Sequence, residues 1–258
     1  LVLKEFFTTD YRGIIEILSD STDLRKILEL SEVPHYTTLQ KASQRLTRKD
    51  TLGKLMSKIL RIAVKARIIK KSVNLSAIDG TGFESHHVSA YFVKRKAKGE
   101  EKYQMTTYIR YPKVGIVVDS GTNLVLAGVP EQGPYPDIVH FEKAVALVEK
   151  NIHSKILTAD AGYDSEKSHT FARGKYNIRT IIPPKIGRRT NKLPSGKWRK
   201  IMATRFNKLL YGQRWQVETV NSMLKRNLGS SLRARSYWSQ CREMTLRLFV
   251  HNVMIVRT

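Results

Sequence analysis

A chain of 258 residues, 41% hydrophobic and 26% charged, can bury a full core and has the size of one domain with a small appendage, so a disordered chain is excluded. Its 46 Lys and Arg against 22 Asp and Glu leave a formal net charge of +24 and a pI near 10.2, which favours a polyanionic partner, nucleic acid first among them. The single cysteine, Cys241, excludes an intramolecular disulfide and a cysteine-rich zinc site, and His86 and His87 are neighbours that do not chelate one ion. With no long apolar run and no signal pattern, the sequence reads as soluble and intracellular; it begins at Leu1 and not Met, so residues upstream are expected.

Residues 1–72 read as helical, with three candidate helices. "STDLRKILEL" offers Ser21 or Thr22 as N-cap, and "TTLQKASQRL" opens on Thr37 with Gln40 three residues on, a capping box. Pro34 separates the two, and a short helix, a break and a capped second helix suggest a helix-turn-helix that directs residues 37–46 toward a DNA groove. The third, over 51–70, places Leu52, Leu55, Ile59, Ile62 and Ala66 on one face and Lys54, Lys58, Arg61 and Lys65 on another.

From residue 72 the period changes. "VNLSAIDGTGF" predicts a buried strand ending at Asp79, and "KVGIVVDSGTNLVLAGV" two strands joined by a turn at 120–123. "DIVHFEKAVALVEK" predicts an amphipathic helix, "KILTAD" a fourth strand ending at Asp160, "SEKSHTFARGK" a helix and "RTIIPP" a fifth strand stopped by prolines. Residues 185–205 read as a basic loop too polar to pack, followed by a last long helix over "YGQRWQVETVNSMLK". That helix carries Tyr211, Arg214, Glu218 and Lys225 on one stripe and Leu210, Val217, Val220 and Leu224 on another. Glu218 is the one acid among 14 Lys and Arg between residues 185 and 235.

Asp79 and Asp160, at the ends of apolar strands, fall where open α/β sheets build sites. Taken alone, Asp79 before Gly80, or Asp160 before Ala161-Gly162, reads as a turn cap more readily than as a ligand. Three converging carboxylates with Glu218 would repel unless a cation bridged them, and oxygen ligands without Cys or clustered His select Mg²⁺ or Mn²⁺.

"DGTGFE" at Asp79, "TADAGYDS" at Asp160 and the spacing Tyr-x2-Arg-x3-Glu-x6-Lys from Tyr211 to Lys225 resemble the signature regions of the DDE transposases of prokaryotic insertion sequences, in that family's order. Within it the chain resembles the compact branch common in archaea, without a large inserted β domain. The resemblance implies an α/β fold: an RNase H-like mixed five-stranded sheet flanked by helices over residues 73–258, preceded by the small helical DNA-binding region 1–72. It further implies that Asp79, Asp160 and Glu218 are catalytic and hold Mg²⁺, with Mn²⁺ as substitute. Tyr211, Arg214 and Lys225 would contact double-stranded DNA at the transposon ends. The protein would bind terminal inverted repeats and carry out cleavage and strand transfer as a homodimer or higher oligomer, associated with the nucleoid in the cytoplasm and not with a membrane. Asp137 stands where relatives often carry His-Asp, with Pro136 in place of the His, and is expected to be supporting or structural; Asp164 is a rival to Asp160 as ligand. The alternative is a DNA-binding relic or repressor that has lost catalysis. A plain RNase H-like nuclease has no reason to carry the Tyr-Arg-Glu-Lys helix.

Overall fold

The computed structural model describes residues 1–46, 51–85, 90–95, 104–185 and 192–257. Its N-terminal part is helical, as expected, but holds five helices: α1 (Val2–Phe6), α2 (Tyr11–Asp20), α3 (Thr22–Ile27), α4 (Tyr36–Leu46) and α5 (Thr51–Lys65). Ser21 caps α3 by accepting from Leu24 N–H at 3.3 Å, one of the two caps expected. Before α4 the expected Thr37 cap gives way to His35, whose Nδ1 accepts from Thr37 N–H at 3.4 Å, so the helix begins two residues earlier than a Thr37 cap would set it. Helix α5 buries Leu52, Met56, Ile59, Leu60 and Ala63, while Ile62 is 43% exposed. The apolar face is therefore turned from the one the sequence suggests, because α5 packs along the C-terminal helix and also reaches the sheet core.

The body follows. Its strands are β1 (Ser72–Val73), β2 (Ser76–Gly82), β3 (Glu84–Ser85), β4 (Ala90–Arg95), β5 (Gln104–Ile109), β6 (Tyr111–Asp119), β7 (Val125–Gly133), β8 (His153–Ser154), β9 (Ile156–Thr158), β10 (Arg179–Ile181) and β11 (Ser231–Leu232). The principal sheet has five strands in the order β10-β9-β2-β6-β7, with β2, β9 and β10 parallel and β6 antiparallel to β2 and β7. This is the RNase H-like mixed sheet. Strand β6 is buried at all but its first residue, as a central strand covered on both faces requires. The expected turn between β6 and β7 is built by Asp119, whose Oδ2 accepts from Thr122 N at 2.9 Å and Oγ1 at 2.7 Å, and by Asn123 at φ 62°.

Side-chain alternation assigns the faces. Ile78, Val117, Leu126, Val129, Leu157 and Ala159 point to one side, where α6 (Phe141–Glu149) covers them with Phe141, Val145 and Val148. Ala77, Val114, Ile116, Val118 and Val125 point to the other, covered by α10 (Trp215–Leu228) and α11 (Tyr237–Arg257). Between β9 and α10 run α7 (Glu166–Thr170), α8 (Lys197–Thr204) and α9 (Lys208–Gly212).

Four sequence expectations change. The β4–β5 hairpin was not foreseen, nor was α11, whose Met244, Leu248 and Val250 join the core. The stretch 211–225 is two helices, because α9 stops at Gly212 and α10 starts at Trp215; Tyr211 and Leu210 thus lie outside the helix that carries Glu218. In place of the polar loop at 185–205 stands α8 with Met202 buried; residues 186–191 lie outside the described residues, as do His86 and His87.

Candidate active site

Strand β2 continues to Gly82 against β6, so Asp79 lies inside a strand and not at its end as the sequence suggested. Its pairing with β9, however, stops at Ala77 opposite Thr158. Two residues beyond that last pair stand Asp79, still on β2, and Asp160, just past the end of β9. Equal offsets from a parallel pair put the two acids at the same end of it, and even spacing directs both to the face of Ala77 and Thr158, the face covered by α10. Each strand thus contributes one carboxylate where the two part.

Local contacts fix each group. Asp160 heads the 3-10 turn Ala161–Tyr163 and accepts from Gly162 N–H at 2.8 Å through Oδ1, leaving a second oxygen with its lone pairs. A side chain at Gly162 would place its Cβ 2.9 Å from that Oδ1, so glycine keeps the turn tight. Asp79 Oδ2 accepts from Asn221 Nδ2 at 3.2 Å, and this bond fixes α10 over β2. Burial raises the Asp79 carboxyl to about 6; Gly80 N–H and Arg214 oppose the rise, while Asp160 and Asp137 add to it. The site is therefore a desolvated concentration of negative charge.

On α10, Glu218, Asn221 and Lys225 follow Arg214 at spacings of four, three and four, one continuous stripe. Arg214 pairs with Glu218 through Nη2 and Oε1. Burial pulls the Arg214 guanidinium down, but Glu218, Tyr211 and Asp79 outweigh it and leave it raised. Arg214 thus pairs with Glu218 and lies near enough to Asp79 to favour its charge. The Glu218 side chain is 54% exposed, and among the described residues no group of three or more His, Cys, Asp or Glu stands close enough together to hold a metal ion. The fold brings Asp79 and Asp160 together and places Glu218 on the same face, with its carboxylate drawn to Arg214. Tyr211, on α9, packs on Phe206 with ring centroids 5.0 Å apart, and Lys225 is half-buried one helical turn beyond Asn221.

Asn221 was not singled out in the sequence. It is 9% exposed, and its Oδ1 has no hydrogen-bond partner, an orphaned hard oxygen beside Asp79. Its spacing of three from Glu218 was the available signal. The donor set of two aspartates, an unpartnered amide oxygen and a glutamate one turn away fits a hard divalent cation.

Asp164, the rival ligand, is engaged in structural contacts. Its side chain is fully buried and receives Arg199 Nη2 at 2.7 Å, Arg199 Nε at 2.9 Å and Lys185 N–H at 2.7 Å. Beside it Glu166 accepts from Trp198 N–H and Arg199 N–H, both at 3.1 Å, at the start of α8. These two acids hold α8 to the body.

A family model described as "Transposase DDE domain" matches residues 72–253. The chain belongs to that family. Among solved structures it is similar to a piggyBac transposase synaptic complex with hairpin DNA, at 14% identity and a TM-score of 0.43, over 70% of this chain and 46% of that chain. The chain therefore spans less than half of that transposase's length. No curated protein matches it. Among the described residues, no helix is long and apolar enough to cross a membrane.

Proposed function

We propose that this family member is a transposase of an insertion sequence that cuts double-stranded DNA at the element's terminal inverted repeats and joins the ends to a target, with Asp79, Asp160 and Glu218 holding Mg²⁺ or Mn²⁺. The observation that supports this reading is the placement of Asp79 and Asp160 at the same end of the β2–β9 pair on the face covered by α10, where burial above all, with the charge of Asp160 added, disfavours the Asp79 carboxylate and a cation would offset that cost. Bound there, a divalent pair would supply activation of the attacking oxygen and stabilisation of the leaving oxygen in phosphodiester displacement.

The chain's own residues do the rest. Asn221 orients Asp79 by its amide donor. Arg214 pairs with Glu218 and favours the Asp79 carboxylate, and it would be free to meet a phosphate where a metal held those acids. Tyr211 and Lys225 flank it along the DNA path, and the +24 charge draws the duplex in. In the first step water attacks a phosphorus at the element's end and the P–O3′ bond breaks, giving a 3′-OH. In the second, that 3′-OH attacks a target phosphodiester and displaces another 3′-oxygen. Residues 1–72, with α3 and α4 as the helix pair, serve as the region that reads the repeat, and a dimer would hold both ends.

A non-catalytic descendant that only binds the ends is the second reading, favoured by the Glu218–Arg214 pair. Incubating the protein and Mg²⁺ with DNA carrying the sequences that flank its gene separates the two. The proposal expects strand cleavage by the wild type and binding without cleavage by Asp160→Asn; binding without cleavage by both supports the descendant.

A further inference from the structure

Behind the acid edge, on the sheet face opposite Asp79, lies a buried polar cluster to which the reaction above gives no role. Strands β2 and β6 pair Gly80 with Gly115, which leaves a bare patch on the α6 face. A Cβ at Gly115 would stand 2.2 Å from the His140 ring, and one at Gly80 would stand 2.9 Å from Lys113 Cε and inside the Asp137 carboxylate. The two glycines therefore seat the 3-10 turn Asp137–His140 flat on the sheet. Asp137 pairs with Lys113, whose Nζ also donates to Tyr135 O at 3.1 Å. His140, 1% exposed, has Nδ1 3.0 Å from Glu131 Oε2 and Nε2 2.7 Å from the Tyr163 hydroxyl.

The hydrogen-bond directions follow from the ends of this chain. A carboxylate only accepts, so His140 Nδ1 carries the hydrogen and donates to Glu131. In the neutral ring Nε2 then accepts from the Tyr163 hydroxyl. Burial, reinforced by Asp137 and Asp79, pushes the Tyr163 phenol up and keeps it protonated as that donor. Tyr163 is fully buried and closes the 3-10 turn that Asp160 opens, while His140 closes the turn that Asp137 opens. One relay, Glu131–His140–Tyr163, thus ties β7 to the turn that presents Asp160.

Buried polar and ionic groups are costly in an apolar core, and hydrophobic replacements of similar volume are often as stable. A relay of this kind next to a catalytic strand is explained if it fixes position. We infer that Glu131, His140 and Tyr163 are positioning residues that set where Asp160 stands relative to Asp79 before a metal arrives. The inference rests on the reading of Asp79 and Asp160 as metal ligands. Partners that orient ligands from behind typically change metal affinity by about 10–100-fold when removed.

The test is Mn²⁺ binding by electron paramagnetic resonance on the full chain, without DNA and without turnover, for wild type, Tyr163→Phe, Glu131→Ala, Glu131→Gln and Asp160→Asn. Tyr163→Phe removes one hydroxyl from a filled pocket and should weaken Mn²⁺ binding about 10-fold, with DNA affinity and circular dichroism unchanged. Glu131→Ala should do the same, and Glu131→Gln, whose amide oxygen still accepts from His140, should restore most of the affinity. If Tyr163→Phe fails to fold, the Glu131 pair decides the matter. Wild-type Mn²⁺ affinity in both Tyr163→Phe and Glu131→Ala, with Asp160→Asn weakened, overturns the clamp and leaves the ligand reading standing. Wild-type affinity in Asp160→Asn overturns the ligand reading instead.

Discussion

Asp160 and Asp164 lie four residues apart and have opposite fates. The Asp164 side chain is fully buried and held by Arg199 and Lys185 N–H, and with the neighbouring Glu166 cap it binds α8 to the body. Asp160 spends one oxygen on its own turn and stands beside Asp79, whose carboxyl is raised by burial first and by the charge of Asp160 in addition. The difference separates the two uses of a carboxylate. A fully partnered acid holds structure, and an acid left with spare lone pairs beside like charge is suited to a ligand.

The largest effect expected from this contrast is on chemistry. Asp79→Asn and Asp160→Asn should each lower end cleavage by at least about 100-fold, while binding to the same DNA is kept or strengthened because negative charge near phosphate is removed. Near wild-type cleavage by either variant would end that residue's assignment. Asp164→Asn should instead unfold readily. Breaking a buried pair costs about 3–5 kcal/mol, on the order of 10 °C in melting temperature for a chain of this size. A thermal melt reads this, and an unchanged melt with abolished cleavage would exchange the roles of the two acids.

A smaller effect concerns His169 in the same structural cluster. Its Nδ1 lies 2.6 Å from Thr180 Oγ1, and its buried Nε2 has no hydrogen-bond partner. Burial lowers the imidazole from 6.5 to about 4, with Arg173 in support and Asp164 and Glu166 opposed. Because the folded state resists the proton that the unfolded chain takes up, this contribution is present above pH 6.5 and is lost as pH falls toward 4. Urea unfolding should show wild type losing on the order of 2–3 kcal/mol more than His169→Gln between pH 7 and pH 4; equal losses would place His169 outside the cluster's energetics. Smallest are the changes on the proposed DNA path. Lys225→Ala and Arg214→Ala should each reduce the salt slope of end binding by about 0.9, whereas Glu218→Gln should leave it unchanged. Filter binding over a salt series reads this, and wild-type slopes for both basic variants would remove that DNA role.

The sequence showed much of this because strands and acids are marked locally. The runs around Asp79, Val117 and Leu157 are apolar enough to read as buried strands, and the Tyr-Arg-Glu-Lys spacing pointed to the helix over the sheet. What escaped depends on distant partners. That the β2–β9 pairing stops at Ala77 is a property of two strands, so Asp79 looked like a strand end. Residues 197–204 form a helix because Glu166, some thirty positions earlier, caps it. The α5 face turned because α11 lies against it. Asn221 carries no charge, and only its bond to Asp79 reveals it. Gly80 and Gly115 are ordinary in their own segments and become a seat only once paired.

The central claim, that Asp79, Asp160 and Glu218 converge on a divalent cation that Arg214 replaces in its absence, is tested most directly by a crystal structure with Mn²⁺ located by anomalous scattering. The account predicts Mn²⁺ bound by oxygens of Asp79 and Asp160, with Glu218 swung into the coordination sphere or its bound water and Arg214 released from it. Mn²⁺ seated elsewhere, or seated at the aspartates with the Glu218–Arg214 pair intact, would contradict it.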